Sequence, residues 1–276
     1  MITEKLKKSI LNFAITGALS KQYSDEKCNI TNVESINSPE LFDIPNNWKW
    51  LKVRDVGDLV RGNGIKRNET VTSGIQCIRY GEIYTNYSYS FKNSISFVSE
   101  NLAKSCRQVT KGDILLTLTG ENEYDIAKAT AYLGADKLVA GGDLAILTNH
   151  NQNPLYLSYY FASPFAITQK SRTAKGNIIV HTSTDKIGDY FIPLPPIEEQ
   201  QRIVNKIEEL FAKLDELKPI EEELEKIKSK FPEDIKKSVL NDFFSGNASF
   251  IIESYDSWKS EMLINIADVC TGNSIS

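Results

Sequence analysis

Three stretches of the 276-residue chain combine basic, amide and hydroxyl side chains with glycine, a mixture suited to contacting nucleic acid. They are residues 61–67 (RGNGIKR), 117–122 (TLTGEN) and 170–177 (KSRTAKGN). Arginine and lysine hydrogen-bond guanine or hold phosphate, asparagine reads adenine, and glycine allows close backbone approach. A plain surface turn is the alternative for each stretch alone. The predicted DNA-contacting residues are Arg61, Asn63, Lys66, Arg67, Arg79, Tyr80, Thr119, Asn122, Lys175, Asn177 and His181.

Patterns typical of catalysis or metal binding are missing from the sequence. No glycine-rich phosphate loop ends in Lys-Ser or Lys-Thr, and Gly62-Asn63-Gly64 is too short for a dinucleotide-binding loop. His150 and His181 are isolated, and the four cysteines form no close pair. The carboxylates of residues 121–125 (ENEYD) favour a solvated loop. We therefore expect a non-catalytic chain with no metal site and no directly bound cofactor.

The charge of the chain is unevenly distributed. Its net charge is −4, but residues 46–194 carry 17 Lys and Arg against 13 Asp and Glu, a net of +4. The remaining residues carry 15 against 23, a net of −8. A polyanion such as DNA would therefore favour the middle of the chain, although a surplus of four permits DNA binding without proving it.

Two parts of the sequence occur twice. Residues 7–12 (KKSILN), which lead to Gly17, return as residues 236–241 (KKSVLN), which lead to Gly246. A second series, Trp48, Asp58, Gly62, Asn63 and Ile65, returns as Trp258, Asp268, Gly272, Asn273 and Ile275. The repeat is far longer than the roughly 20–50 residues of a solenoid unit. It indicates two tandem half-molecules, of which this chain holds one copy and the opening of the next.

Local patterns predict the elements that must position these residues. Residues 3–16 form an amphipathic helix that Gly17 caps, and a surface connector follows at 20–45. The predicted apolar face of this helix consists of Leu6, Ile10, Phe13 and Ala14. Asn153-Pro154 predicts the start of a buried helix that ends near Pro164. The predicted strands are 76–84, 113–118, 127–133, 143–148, 178–180 and 190–192.

A heptad pattern follows the prolines at 193–196. The predicted spacer or subunit-interface positions are Ile203, Ile207, Leu210, Leu214, Leu217, Leu224, Ile227 and Phe231. Their spacing predicts an exposed helical rod, and a hairpin packed on the domain's own core is the alternative. Pro219 predicts a kink or break, and Phe231-Pro232 predicts a fresh helix start.

The stretch from Phe191 to Val204 (FIPLPPIEEQQRIV) closely resembles the end of a target-recognition domain in the specificity subunit of type I restriction-modification enzymes. Residues 47–50 (NWKW), followed by Asp58 and Gly62, are similar to the opening of such a domain. Residues 78–83 (IRYGEI) and 112–116 (GDILL) resemble its early and central strands. The repeated Lys-Lys-Ser helix is similar to the ends of the family's spacer.

The resemblance implies a non-catalytic subunit that binds double-stranded DNA. The sequence shows no signal peptide, no membrane-spanning run and no close cysteine pair, which predicts a cytoplasmic protein. In this family, recognition domains and spacer helices direct methyltransferase subunits, which N6-methylate adenine, and restriction–translocase subunits to a bipartite site. S-adenosylmethionine, ATP and magnesium are then expected on those partner subunits. The alternatives are the recognition subunit of a type IIB-like restriction-modification enzyme, and a coiled-coil scaffold that binds only proteins.

The expected fold is an α/β (α+β) recognition domain with a mixed β-sheet, attached to a long antiparallel helical or coiled-coil spacer. The expected parts are an N-terminal helix at 1–19 near the spacer, a connector at 20–45, the recognition domain at 46–194, the spacer at 195–246 and an incomplete second domain at 247–276. A chain with one complete reader would meet a bipartite target as a homodimer through the spacer, and a waiting monomer is the alternative.

Overall fold

The computed structural model describes residues 2–174, 176 and 180–245. Its helices are α1 (Ile2–Ile15), α2 (Val53–Val56), α3 (Tyr80–Thr85), α4 (Glu100–Ala103), α5 (Pro154–Phe161), α6 (Pro164–Thr173), α7 (Thr184–Gly188) and α8 (Ile197–Phe244). Its strands are β1 (Lys49–Lys52), β2 (Asp58–Arg61), β3 (Thr70–Val71), β4 (Ile75–Ile78), β5 (Ser90–Phe91), β6 (Ser96–Val98), β7 (Arg107–Val109), β8 (Ile114–Thr117), β9 (Thr119–Gly120), β10 (Ala129–Tyr132), β11 (Leu138–Ala140), β12 (Leu144–Thr148), β13 (Val180–His181) and β14 (Phe191–Leu194). Two compact units divide the chain, Met1–Lys218 and Pro219–Ser276. Among the described helices, none has the length and apolar character needed to cross a membrane.

The first unit contains two mixed five-stranded sheets. The first has the order β2-β12-β8-β10-β5, and its β10–β5 pairing is parallel while the others are antiparallel. The second has the order β3-β6-β4-β11-β7, with β11 parallel to β4. Short antiparallel pairs join β1 to β14 and β9 to β13. The mixed α+β class and the long C-terminal helix that the sequence predicts are confirmed.

Side chains alternate between two cores along the first sheet. Ile114 and Leu116 of β8 lie in a core shared with α1, α5 and α8, whereas Leu115 lies in a core shared with the second sheet. Ala145 and Leu147 of β12 repeat this pattern. Because successive side chains of a strand point to opposite faces, the first sheet lies between a helical layer and the second sheet.

The predicted strands at 113–118, 127–133 and 143–148 match β8, β10 and β12. The prediction for 76–84 is wrong beyond Ile78, because β4 ends there and α3 begins at Tyr80. Glu82 and Ile83, which lie three and four residues after Arg79, are both buried, and this spacing suits a helix.

The helix predicted from Asn153-Pro154 is α5. The Asn153 side chain accepts hydrogen bonds from the backbone N–H groups of Leu155 and Tyr156, at 3.0 and 3.3 Å. Tyr156 and Tyr160 are buried, and their hydroxyls donate to the carbonyls of Pro193 and Phe191, which belong to β14. These bonds join the helix to the strand that precedes α8.

The helix predicted at 3–16 is α1, and Gly17 follows it with a positive φ of 79°. Its buried face differs from the predicted one. Leu11, Ala14 and Ile15 are buried, whereas Leu6 and Phe13 are exposed. The predicted face is right for Ala14 and for the half-buried Ile10, which packs against the core, and wrong for Leu6 and Phe13. Several spacings of apolar residues in this helix fit a period of 3.6, and only packing selects among them.

The stretch that carries the family resemblance joins the connector to the start of α8. The fully buried Glu199 carboxylate accepts hydrogen bonds from the side chains of Ser20 (2.8 Å), Gln22 (3.0 Å), Asn47 (3.3 Å) and Trp48 (2.8 Å). We call these five residues the Glu199 cluster. It fixes both ends of the connector against one helical turn.

The neighbouring residues of α8 extend this contact. Gln200 is fully buried and donates to Gln152 at 2.8 Å. Arg202 makes a bidentate ion pair with Glu26 at 2.7 and 2.5 Å, and its guanidinium lies 4.7 Å from the Tyr23 ring centroid. The pairing lowers the pKa of the Glu26 carboxyl and raises that of Arg202, since each charge stabilises the other.

The long helix α8 contains both Pro219 and Pro232. The predicted break at Pro219 and the fresh helix start at Phe231 are therefore wrong, while a kink at Pro219 stays a prediction. A proline inside a helix removes one hydrogen bond and costs about 3 kcal/mol. That cost does not end the helix here, because the flanking residues are mostly Glu, Lys, Leu and Ile.

The heptad positions of α8 fall into three sets by burial. Ile203 and Ile207 are fully buried in the core of the first unit, and Leu214 is nearly so. These positions are therefore part of the domain's own core, as the alternative interpretation holds, rather than a free subunit surface. Leu210 is half-buried, and the exposed positions are Leu217, Leu224, Ile227 and Phe231. Helix α1 packs on the buried part, where Lys7 forms a 2.7 Å ion pair with Asp215.

Candidate nucleic-acid interface

The first predicted loop lies directly against the loop between β11 and β12. The Gly62 N–H donates to the Leu144 carbonyl at 2.9 Å, and the Asn63 N–H donates to the Ala140 carbonyl at 3.1 Å. A Cβ at Gly62 would lie 2.1 Å from the Gly141 carbonyl oxygen. Glycine is therefore required at position 62, because any side chain would force the two backbones apart.

Six of the predicted residues surround this backbone contact. Two open cavities, of about 670 and 650 Å³, share Ile65, Gly142 and Asp143 in their walls. Arg61, Asn63 and Lys66 also line the first cavity, and Arg67, Arg79 and Tyr80 line the second. We call these six residues the basic face. The structure thus brings together residues up to 19 positions apart in sequence, from the end of β2, the loop that follows it and the start of α3.

The side chains of the basic face differ in how firmly they are held. Arg61 donates from Nε to the Gly142 carbonyl at 2.7 Å and lies 3.7 Å from the Asp143 carboxylate. Arg79 pairs with the buried Glu82. Lys66 and Arg67 are exposed and have no acidic partner within 4 Å among the described residues. Their charges are therefore available to a phosphate group.

Helix α3 connects the basic face to a second group of predicted residues. Tyr80 begins the helix in the basic face, and Tyr84 lies one turn later. The hydroxyls of Tyr84 and Thr117 are 2.7 Å apart, and Tyr84 also donates to the carbonyl of Thr119 at 3.2 Å. Burial raises the pKa of Tyr84 to about 12, so this hydroxyl stays protonated and remains a donor at neutral pH.

The second group contains Thr119 and His181. They are paired residues of β9 and β13, and the Thr119 hydroxyl lies 3.2 Å from His181 Nδ1. His181 is exposed. An exposed imidazole and a hydroxyl on neighbouring strands can both donate and accept hydrogen bonds, which suits contact with a base edge or a phosphate.

Asn122 has a role within its own loop. Its side-chain oxygen accepts from the N–H groups of Tyr124 and Asp125, at 3.0 and 2.9 Å, and its amide donates to the Asp125 carboxylate at 2.5 Å. This is an Asx turn, which holds residues 121–125 in one conformation. A DNA contact by Asn122, which stays a prediction, would compete with these bonds.

The second group is less positive than the basic face. Glu121, Glu123 and Asp125 are exposed in the adjoining loop, so phosphate is disfavoured there. The predicted contacts Lys175 and Asn177 lie outside the described residues. No cluster of three or more His, Cys, Asp or Glu residues that could hold a metal ion occurs in the described part of the chain.

Glu82 and Tyr84 were not among the residues predicted from sequence. Each belongs to a segment that we interpreted as a strand, in which alternate side chains would face apart. The helical conformation instead places Arg79 beside Glu82, three residues apart, and directs Tyr84 to β9. A search for basic–acidic pairs at helical spacing would have found the first pair.

The fold is that of type I restriction-modification specificity subunits. The crystal structure of the HsdS subunit from Thermoanaerobacter tengcongensis matches 87% of this chain and 50% of its own, with a TM-score of 0.53 and 17% sequence identity. A structure solved for complex assembly and conformational transition of the type I R-M system matches 87% of this chain and 53% of its own, with a TM-score of 0.52 and 16% identity.

The chain belongs to the type I restriction modification DNA specificity domain family, whose model matches residues 45–226. Curated relatives include the EcoBI specificity subunit of Escherichia coli, 24% identical over 78% of this chain and 45% of the relative. The MjaVIII specificity subunit of Methanocaldococcus jannaschii is 22% identical over 80% of this chain and 52% of the relative. The chain thus spans about half the length of these relatives.

Proposed function

We propose that this chain reads DNA sequence as a non-catalytic specificity subunit of a type I restriction-modification system. The observation that carries the proposal is the basic face, where Lys66 and Arg67 have free charges beside the closely held arginines Arg61 and Arg79. A basic side chain without an acidic partner can bind a phosphate group. An arginine whose orientation is fixed by neighbouring groups can distinguish one base edge from another. Family membership supports the same role.

The proposed partners follow from the family. Modification subunits would methylate adenine with S-adenosylmethionine, and a restriction–translocase subunit would use ATP and magnesium. One solved neighbour concerns complex assembly of the type I R-M system, which supports assembly of this kind. We place the chain in the cytoplasm, where its DNA target lies.

The exposed apolar residues of α8 support a paired reader. Leu224, Ile227 and Phe231 are exposed on α8, an apolar set that two copies can cover about a twofold axis. Such a homodimer would present two identical reading faces. It would therefore bind an inverted repeat, in contrast to the asymmetric bipartite site that a chain with two different recognition domains reads.

Gel-shift titration of the full chain with its methyltransferase subunit tests this function. We expect a defined duplex to bind at least tenfold more tightly than random sequence, with affinity falling steeply as salt rises. Lys66→Ala together with Arg67→Ala should reduce the salt slope by about two, since each neutralised phosphate contributes about 0.9. Equal binding of all sequences at physiological salt would contradict the proposal, and the absence of salt-dependent binding would favour a protein-binding scaffold.

A further inference from the structure

We propose that Arg79 reads a guanine in the target and that Glu82 positions its guanidinium for that contact. The inference rests on the proposed DNA-reading function and adds the base that one residue recognises. Glu82 is a positioning residue, because its carboxylate faces Arg79 and the protein interior. The argument concerns the geometry of this pair, its charge and the cavity that it lines.

Arg79 is held from one side by a single carboxylate oxygen. Its Nε and Nη2 atoms each lie 3.1 Å from Oε1 of Glu82, three residues later at the start of α3. The Ser96 hydroxyl of β6 donates to the same oxygen at 2.7 Å. The Glu82 side chain is 7% exposed. The helix and the strand therefore hold the Glu82 carboxylate, and this carboxylate in turn holds the edge of the guanidinium formed by Nε and Nη2.

The opposite edge of the guanidinium is open. A guanidinium has five N–H groups in a planar fork, and Glu82 engages the edge formed by Nε and Nη2. Nη1 makes no hydrogen bond to any described residue, and Arg79 lines the 650 Å³ cavity with Tyr80 and Gly142. The end formed by Nη1 and the outer N–H of Nη2 matches the O6 and N7 acceptors of guanine, the commonest specific arginine contact.

The charge of the pair favours a base edge over a phosphate. Glu82 offsets the positive charge of Arg79, so the pair attracts an anion weakly while it keeps the direction of its donors. Guanine O6 and N7 are neutral acceptors, so a contact with them depends more on the direction of the N–H donors than on the net charge of the donor group. Arg67 lines the same cavity with no acidic partner within 4 Å among the described residues, which suits it to phosphate.

Burying the Glu82 carboxylate costs free energy that its hydrogen bonds do not fully offset. Oε2 of Glu82 is buried and has no hydrogen-bond partner among the described residues. Buried ion pairs of this kind stabilise a fold little compared with apolar residues of similar volume, and an unsatisfied buried oxygen is unfavourable. Its presence here is accounted for by the orientation of Arg79.

The test uses the full chain with its methyltransferase subunit and a randomised duplex library. The wild-type complex should select guanine at one position by about 5- to 150-fold, the range of a bidentate contact. Arg79→Lys retains the charge but loses the fork, so this selection should fall below about threefold with an unchanged salt slope. Arg107→Lys, on β7, is the matched control and should leave the selection intact.

Glu82→Gln tests whether Glu82 orients Arg79, because a purely structural role of Glu82 would not produce the following pair of effects. It removes the charge that offsets Arg79, so binding to random duplexes should strengthen while guanine selection weakens. Circular dichroism and thermal unfolding establish that each variant is folded. Loss of affinity for all sequences alike in Arg79→Lys, together with a salt slope lower by about one in Arg79→Ala, would instead identify Arg79 as a phosphate contact and overturn the inference.

A 7-deazaguanine probe removes N7 without changing the protein. Placed at the selected guanine, it should weaken wild-type binding about tenfold and weaken Arg79→Lys binding no further, since the two changes remove one contact. Independent, additive losses would overturn the inference, as would a wild-type site without guanine. If the wild-type complex selects no sequence at all, the proposed function itself fails; if it selects guanine that Arg79→Lys retains, only this inference fails.

Discussion

At the scale of single residues, the basic face depends on a backbone contact that only glycine permits. We predict that Gly62→Ala will lower the free energy of unfolding by about 1–3 kcal/mol, the usual cost of overpacking. The reason is the 2.1 Å separation between an added Cβ and the Gly141 carbonyl oxygen. DNA affinity should fall with it, because loops 61–67 and 141–143 would separate. Urea denaturation and gel shift measure the two effects.

Gly64→Ala is the matched control for this prediction. A Cβ at Gly64 meets no atom within 4 Å, and its φ is not in the left-handed region. It should leave both stability and DNA binding near wild-type values. Equal effects of Gly62→Ala and Gly64→Ala would show that general loop stiffening, rather than backbone contact, is responsible.

The side chain of the buried Lys170 makes one hydrogen bond among the residues that the structure describes. Its side chain lies inside the first unit, where Nζ donates to the Phe161 carbonyl at the end of α5, at 2.5 Å. Burial lowers the pKa of Lys170 from 10.5 to about 7, and the Asp125 charge opposes this shift. Below pH 7 both folded and unfolded chains are protonated, so the full cost of the buried charge is present. Between pH 7 and 10.5 the folded chain releases the proton first, and stability rises with pH.

We predict that Lys170→Met will change this pH dependence. Relative to the variant, the wild-type chain should lose about 2–3 kcal/mol of unfolding free energy between pH 9 and pH 6, at about 1.4 kcal/mol per pKa unit. Urea denaturation at the two pH values measures the difference. The exposed Lys104→Met is the control, and a wild-type-minus-Lys170→Met difference that is constant with pH would contradict the prediction.

At the scale of elements, the Glu199 cluster decides how the connector and α8 are joined. Four side chains donate to one buried carboxylate, so its removal leaves several buried donors without a partner. We predict that Glu199→Ala will lower the free energy of unfolding by about 3–5 kcal/mol, the range for breaking a buried charged network. Limited proteolysis should then cut the connector at 20–45 first.

The adjacent Glu198→Ala is the control for this element. Glu198 is exposed at the same end of the helix, so both variants lose a negative charge from the first turn of α8. Favourable interaction with the helix dipole is worth only about 0.3–1 kcal/mol. If the two variants are equally stable, the cluster is not what fixes the connector.

At the scale of the whole molecule, we expect the exposed apolar residues of α8 to determine whether the chain acts alone. We predict that the isolated chain is a dimer at micromolar concentration and that Ile227→Glu with Phe231→Glu will make it a monomer, because charge would be buried in the interface. Light scattering measures the mass. These positions are preferable to Leu214, whose burial in the first unit would confuse association with unfolding.

Ser229→Glu adds a charge to the same helix at an exposed polar position and should leave the dimer intact. A monomeric wild-type chain at these concentrations would refute the homodimer. The DNA-reading proposal would remain, because a monomer with its methyltransferase subunit still presents one basic face.

The sequence by itself determined the features that depend on short stretches of chain. Local periodicity and turn chemistry predict three such features: the helix cap at Asn153-Pro154, the strands β8, β10 and β12, and the end of α1 at Gly17. These signals are readable because neighbouring residues set backbone conformation with little help from the rest of the chain.

Only the tertiary structure decided which residues meet. It set α3 in place of a strand, buried Ile203 in the domain's own core, and brought four distant donors to Glu199. It also placed Arg79 and Arg67 at one cavity, although separate elements carry them. Local patterns cannot encode such pairings, because their free energy comes from burial and hydrogen bonds between segments that are remote in sequence.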